Sequence, residues 1–172
     1  MNITDAVESD IPAITAIYND VIRTSTAIFN DAPVSVEDRV AWWKARVSQG
    51  YPVLTAKDEK GVAGFATFGD FRPWPGYRFT VEGTIHIAAS TRRHGVGSAL
   101  LKALVGRARA AGKHVMVAGV DSANIASLRF LKRSGFERVG HLPEVGHKFG
   151  RFLDLVFLQL MLEARIDLEE RD

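Results

Sequence analysis

The clearest chemistry in this chain lies in Arg92-Arg93-His94-Gly95-Val96-Gly97. Glycines let a backbone come close to a ligand and take dihedrals that other residues resist. Upstream, Val81 to Ala88 has the character of a strand. Downstream, Leu100, Leu101, Leu104, Val105 and Ala108 recur at helical spacing within Ser98 to Ala111. A strand that runs through a basic glycine turn into a helix aims unpaired first-turn amides and the positive end of the helix dipole at an anion. The expected ligand group is a pyrophosphate, held by backbone amides from Arg92 to Ser98. The Arg92 and Arg93 side chains add charge, for which arginine is well suited, and His94 contributes only its backbone. The plainer alternative is a glycine-bearing helix start with solvated charges.

Two rival phosphate motifs fail on position. No Gly, four residues and Gly-Lys-Ser/Thr occur in register, so there is no P-loop. A dinucleotide fingerprint needs a third glycine where Leu100 stands, and no acidic residue ends the following strand at the usual spacing. What fits is Arg/Gln-x-x-Gly-x-Gly/Ala, met by Arg92, Gly95 and Gly97. A second segment follows downstream: Asn124-x-x-Ser127-x-x-Phe130-Leu131-x-x-x-Gly135-Phe136.

The elements that must position these residues can be read in chain order. Ile3 to Val7 is a short strand. Ser9 or Asp10 caps a helix striped by Ile11, Ile14, Ile17, Tyr18, Val21 and Ile22. Ser35 and Asp38 form a capping box for a second helix with Val40, Trp42, Trp43 and Val47 inward. Strands at Pro52 to Ala56 and Val62 to Phe68 precede an aromatic, proline- and arginine-rich loop from Gly69 to Gly76. Val115 to Val120 is a buried strand, a helix with Ile125, Leu128 and Leu131 inward ends near Gly135, and strands at Phe136 to Leu142 and Phe152 to Leu162 complete the order. Glu163 to Asp172 reads as a charged tail. This mixed order predicts one domain over residues 1–172, an α/β or α+β sandwich around a single sheet.

Composition narrows the class. At 172 residues the chain can bury a sizeable core, with 47% hydrophobic and 24% charged residues. A net charge of +2 does not point to nucleic acid. Cysteine is absent, which removes disulfides, thiolate metal sites and cysteine nucleophiles together. Neither a signal-peptide pattern nor a membrane-length apolar run occurs. The expectation is a cytoplasmic protein with no metal, no nucleic-acid partner and no membrane partner.

Taken together, the glycine turn and the Asn124 segment resemble the GCN5-related N-acetyltransferase (GNAT) superfamily. Two further stretches, Val81-Glu82-Gly83-Thr84-Ile85-His86-Ile87 and Val145 to Asp154, resemble its phosphinothricin and methionine sulfoximine acetyltransferase group. The likeness runs from about Ile3 to Leu162 and implies a mixed, mostly antiparallel sheet flanked by helices. It also implies acetyl-CoA as cosubstrate, a small amino-acid-like acceptor whose amine attacks the thioester directly in a ternary complex, and a homodimer. On this resemblance Ile85, His86 and Ile87 pair with the pantetheine arm as an added strand would. The Ile87 N–H becomes the oxyanion donor. The His86 side chain either points into the cleft or packs on the strand. Asn124 contacts the cofactor as well as capping its helix, with Ser127 one turn on. Glu82 is the candidate base that removes the proton of the acceptor ammonium.

For the acceptor, Arg72 and Arg78 can fork onto a carboxylate while Phe29, Trp74 and Tyr77 wall the side chain; the alternative is a proline-rich loop packed on its own aromatics. Lys148 lies in a family-like segment that can line the site, from this subunit or a neighbour. One position departs from the pattern: Leu131 stands where such enzymes carry tyrosine or histidine, which leaves the general acid unassigned. Two other functions share these motifs: acetylation of protein N-termini or another amine, and a non-catalytic acyl-CoA sensor that would not need Glu82.

Overall fold

Seven strands form one sheet in the order β1-β2-β3-β4-β5-β7-β6. A computed structural model describes residues 1–162 of the chain; the charged run from Glu163 to Asp172 lies outside the described residues. The strands are β1 (Asn2–Asp5), β2 (Val53–Asp58), β3 (Gly61–Asp70), β4 (Thr80–Ile87), β5 (Val115–Asp121), β6 (Glu137–Lys148) and β7 (Arg151–Met161), and the helices are α1 (Ile11–Thr24), α2 (Val36–Ser48), α3 (Val96–Ala110) and α4 (Ile125–Arg133). Every pairing is antiparallel except β4 with β5.

Strand alternation splits the core in two. On one face Leu54, Ala66, Phe68, Val81 and Met116 pack against Leu100, Leu104 and Ala108 of α3, with Leu131 of α4. On the other, Val53 and Phe65 meet Ile11, Ile14 and Ile17 of α1, with Trp42 and Trp43 of α2 alongside. Neighbouring residues such as Phe65 and Ala66 therefore serve opposite layers.

The parallel pair decides the architecture. Only Thr80, Val81 and Glu82 pair with Val115, Met116 and Val117. Beyond Glu82 the two strands separate, while β4 stays bonded to β3 as far as Ile87 and β5 stays bonded to β7 throughout. A wedge-shaped gap opens in the middle of the sheet.

Local chemistry explains the ends of the elements. Ser35 and Asp38 cap α2 reciprocally, with Asp38 N–H donating to Ser35 Oγ at 3.0 Å and Ser35 N–H to Asp38 Oδ2 at 3.4 Å. Asp10 does not cap the first helical turn; its carboxylate accepts from Val7 N–H at 2.9 Å and pairs with Lys57 at 2.8 Å. On α2 the inward face differs from the expected apolar stripe, because Val47 is exposed and Arg39 is buried. β6 runs six residues past Leu142, through an irregularity between Leu142 and Gly146 that contains Pro143, which cannot donate to the ladder. A two-residue turn with left-handed Phe149 (φ 53) and Gly150 (φ 73) then leads into β7.

Candidate functional site

A cleft of about 380 Å³ threads the gap between β4 and β5. Leu101 and Leu104 of α3, Met116, and Phe130 and Leu131 of α4 line its side toward one helical layer. Tyr18, Arg39, Trp42 and Arg46 line its side toward the other. Glu82, Gly83, Thr84, Ile85 and His86 form one edge, Ala118 to Asp121 the facing edge, and Asn124 and Ser127 sit at the start of α4.

The exposed backbone of β4 follows from its register. Ala88 N–H donates to Ala63 O at 2.9 Å, toward β3. Alternation along the strand then turns the N–H groups of Ile85 and Ile87 the opposite way, into the gap, where no strand receives them. Glu82, Thr84 and His86 share the face toward α1 and α2.

At the open end of β4 the chain turns through Ala89–Thr91, with Thr91 Oγ1 donating to Ala63 O at 2.8 Å. Arg93 (φ 68) and Gly95 (φ 78) both lie in the left-handed region, and Gly95 is the N-cap of α3. The first helical bond in this turn is Ala99 N–H to Gly95 O, so the N–H groups of Val96, Gly97 and Ser98 point outward without intrahelical partners. A methyl group on Gly97 would lie 3.6 Å from the Phe130 ring and 3.9 Å from Ile87, so this turn sits directly beside the end of β4 and the cleft wall. Arg92, Arg93 and His94 are exposed around it. The donor set fits an anionic cosubstrate tail: free amides at a helix start, flanked by two guanidiniums. Gly95→Ala is expected to cost about 1 kcal/mol of stability through its left-handed backbone and to weaken acetyl-CoA binding; urea unfolding and calorimetric titration check both.

Glu82 is half-buried in the cleft. Burial pushes its pKa above the ordinary carboxylate value, against the opposing pull of Arg72 and Arg46. Gly119 faces it: a Cβ there would sit 3.4 Å from Glu82 Oε1, so the glycine leaves room before the carboxylate. Asn124 caps α4 by accepting from Ser127 N–H at 3.1 Å, and both residues line the cleft. Leu131 presents only hydrocarbon.

His86 is packed rather than projecting freely. Its ring lies between Tyr18 and Phe65, at 5.9 and 5.4 Å between centroids. Burial, helped by the Arg39 charge, lowers its pKa to about 4, so it is neutral at physiological pH.

Most of the expected acceptor loop folds onto itself instead of lining the cleft. A tight turn at Pro75–Tyr77 brings Tyr77 to Phe71 at 5.8 Å, and Phe71 in turn meets Phe157 at 6.1 Å. Arg78 donates to Pro75 O at 3.2 Å and lies over Phe79, while Trp74 is exposed. Arg72 lies over Phe71 and reaches the cleft only through its charge on Glu82. The Phe29 ring rests on Gly146 of β6. Lys148 is occupied within its own chain: the fully buried ammonium donates to Ile22 O, Ser25 O and Ile28 O at 2.7, 2.8 and 2.7 Å. It fastens the segment after α1, whose Ala27 and Ile28 line the cleft, and Thr26 of that segment donates to the buried Asp121.

Tyr18, Arg39, Trp42, Arg46 and Asp121 line the cleft although their types and spacing did not single them out. The signal was present in α2, where Arg39, Trp42 and Arg46 stand at i, i+3 and i+7. Among the described residues no group of three or more His, Asp or Glu is placed to hold a metal ion, and no helix is long and apolar enough to cross a membrane.

The profile of the acetyltransferase (GNAT) family matches residues 14–136. An L-methionine sulfoximine/L-methionine sulfone acetyltransferase of Pseudomonas paraeruginosa is 50% identical over 163 residues, covering 94% of this chain and 95% of that protein. A phosphinothricin N-acetyltransferase of Alcaligenes faecalis is 38% identical, covering 91% of this chain and 80% of that protein. Among solved structures, a phosphinothricin acetyltransferase from Sinorhizobium meliloti in complex with acetyl-CoA superposes with a TM-score of 0.92 at 34% identity, covering 99% of this chain and 93% of that one.

Proposed function

We propose, from a chain that belongs to the GNAT acetyltransferase family, that this protein transfers acetyl from acetyl-CoA to the amino group of a small amino-acid-like acceptor of the methionine sulfoximine or phosphinothricin type. The observation that carries the reading is the cleft in which Glu82, a carboxylate whose pKa is raised by burial, sits beside the free N–H edge of Ile85 and Ile87. The family resemblance and its 50%-identical methionine sulfoximine relative support the choice of acceptor.

In this reading the turn from Arg92 to Ser98 holds the pyrophosphate, and the edge of β4 takes the pantetheine arm as an added strand. Asn124 and Ser127 border it. Glu82 removes one proton from the acceptor ammonium, directly or through water. The amine nitrogen then bonds to the thioester carbonyl carbon while the Ile87 N–H stabilises the carbonyl oxygen, and as the carbon–sulfur bond breaks the nitrogen gives up its second proton to water or to the departing sulfur. Leu131 supplies no proton to the departing thiolate, but a thiol pKa of about 8.5 makes thiolate a tolerable leaving group. Holding amine and thioester together supplies the main rate gain. Arg72 and Arg46 add positive charge near Glu82. A homodimer, which the family resemblance implies, and a cytoplasmic location, which the absence of cysteine fits, complete the proposal. Mixing the protein with acetyl-CoA and a panel of amino acids while recording free thiol tests it; binding of acetyl-CoA without thiol release for any acceptor would sink it.

A further inference from the structure

Two buried polar groups on the α1/α2 side of the cleft have no partner in the protein. Arg39 is only 7% exposed, and its guanidinium carbon lies 3.7 Å from the Trp42 ring centre and 4.1 Å from that of Tyr18. The cation therefore lies over two aromatic rings, which favours the charge but satisfies none of its N–H groups. Its Nε is buried and unbonded. No carboxylate pairs with it in any ion pair among the described residues. His86, 8% exposed, likewise has a buried, unbonded Nε2.

Buried polar groups are almost always hydrogen-bonded, and a buried cation normally has a counter-charge. Two orphans lining one cleft mark a place where a ligand completes the structure. The helix geometry adds a second argument. Arg46 lies two turns from Arg39, roughly 10 Å along α2. Arg46 acts on Glu82 and Arg39 acts on His86. The cations of α2 thus line the same cleft as the β4 row Glu82, Thr84, His86. An acceptor that bears an oxyanion as well as its amine offers a partner both to Arg39 and to Glu82 in this cleft.

We propose that Arg39, with neutral His86 beside it, binds an oxyanion of the acceptor and so selects acceptors that carry one. The oxyanion is the α-carboxylate or, in an acceptor such as phosphinothricin, the phosphinate at the end of the side chain. Arg39 and His86 determine specificity; they do not enter the bond-making step. The proposal rests on the acetyltransferase reading of the cleft.

The test compares kcat/KM for paired acceptors in the wild type, Arg39→Gln, Arg39→Lys and His86→Gln. One pair is an amino acid and its α-carboxamide, and the other is phosphinothricin and a neutral-tailed analogue of similar length. Arg39→Gln is expected to raise the acceptor KM about ten- to hundredfold with the KM for acetyl-CoA unchanged, and to erase the preference within one pair only. The pair affected identifies which oxyanion Arg39 holds. Arg39→Lys, which keeps the charge but loses the flat stacked fork, is expected to retain part of the preference, and it carries the test if Arg39→Gln does not fold. Equal loss for both members of each pair in a folded variant, or no change at all, would overturn the proposal. Absence of acetyl transfer by the wild type would instead overturn the acetyltransferase reading.

Discussion

Glu82→Gln is expected to lower kcat about 10²- to 10⁴-fold while leaving the Kd for acetyl-CoA near its wild-type value. Glutamine keeps the shape of the side chain beside Gly119 but cannot accept the ammonium proton. The loss should not come from unfolding. Burial raises the folded pKa of Glu82, so the folded state holds this proton more tightly than the unfolded chain does. The stability so gained is present below the unfolded pKa and is lost as pH rises through the folded one. At neutral pH the ionised carboxylate is therefore a cost that the neutral amide removes. The same shift sets the acid limb of activity: kcat should rise with pH through a midpoint above the ordinary carboxylate range, and that limb should vanish in Glu82→Gln. Calorimetric titration of acetyl-CoA and a pH–rate profile check both statements. Retained turnover in Glu82→Gln would remove Glu82 from the chemistry and leave the non-catalytic sensor or a different base as the account of this cleft.

Lys148→Met should be the most destabilising single change near the site. Methionine fills much the same volume but leaves the carbonyls of Ile22, Ser25 and Ile28 without their donor. Unsatisfied buried acceptors make a loss on the order of 3 kcal/mol reasonable, read as a fall in the urea midpoint. Burial lowers the Lys148 pKa, with Asp31 opposing the shift, so part of the lost hydrogen bonding is offset by no longer burying the ammonium. Hydrogen exchange should quicken first in the segment from Ser25 to Phe29, and the KM for the acceptor should rise more than that for acetyl-CoA. Unchanged stability would mean that the three carbonyls find other donors.

The parts of the site that could be read from residues alone are the local ones. The turn from Arg92 to Gly97 is contiguous, and glycine, arginine and helix spacing report it within a dozen positions. Strand alternation in β4 is equally local, and it puts Glu82 and His86 on one face. What escaped depends on distant partners. The burial of Arg39 needs the Tyr18 ring from another helix, which nothing within α2 reports, and Val47 of the apolar pattern is exposed. Lys148 is satisfied by carbonyls from the far end of the chain, which nothing in its own neighbourhood announces. β6 looked shorter because Pro143 breaks the pattern that its neighbours on both sides maintain. The loop of Phe71, Trp74, Tyr77 and Arg78 carried residue types suited to an acceptor, but Pro75 turns it back on itself and its aromatics pack together.

The most direct measurement is the product itself. The protein is incubated with acetyl-CoA and L-methionine sulfoximine, and free thiol and the mass of the amino acid are followed together. The account predicts one N-acetylated amino acid for each thiol released, with Glu82→Gln binding acetyl-CoA but forming almost no product. Tight acetyl-CoA binding by a folded wild type, with no acetylated product from this or any other amino acid offered, would contradict it.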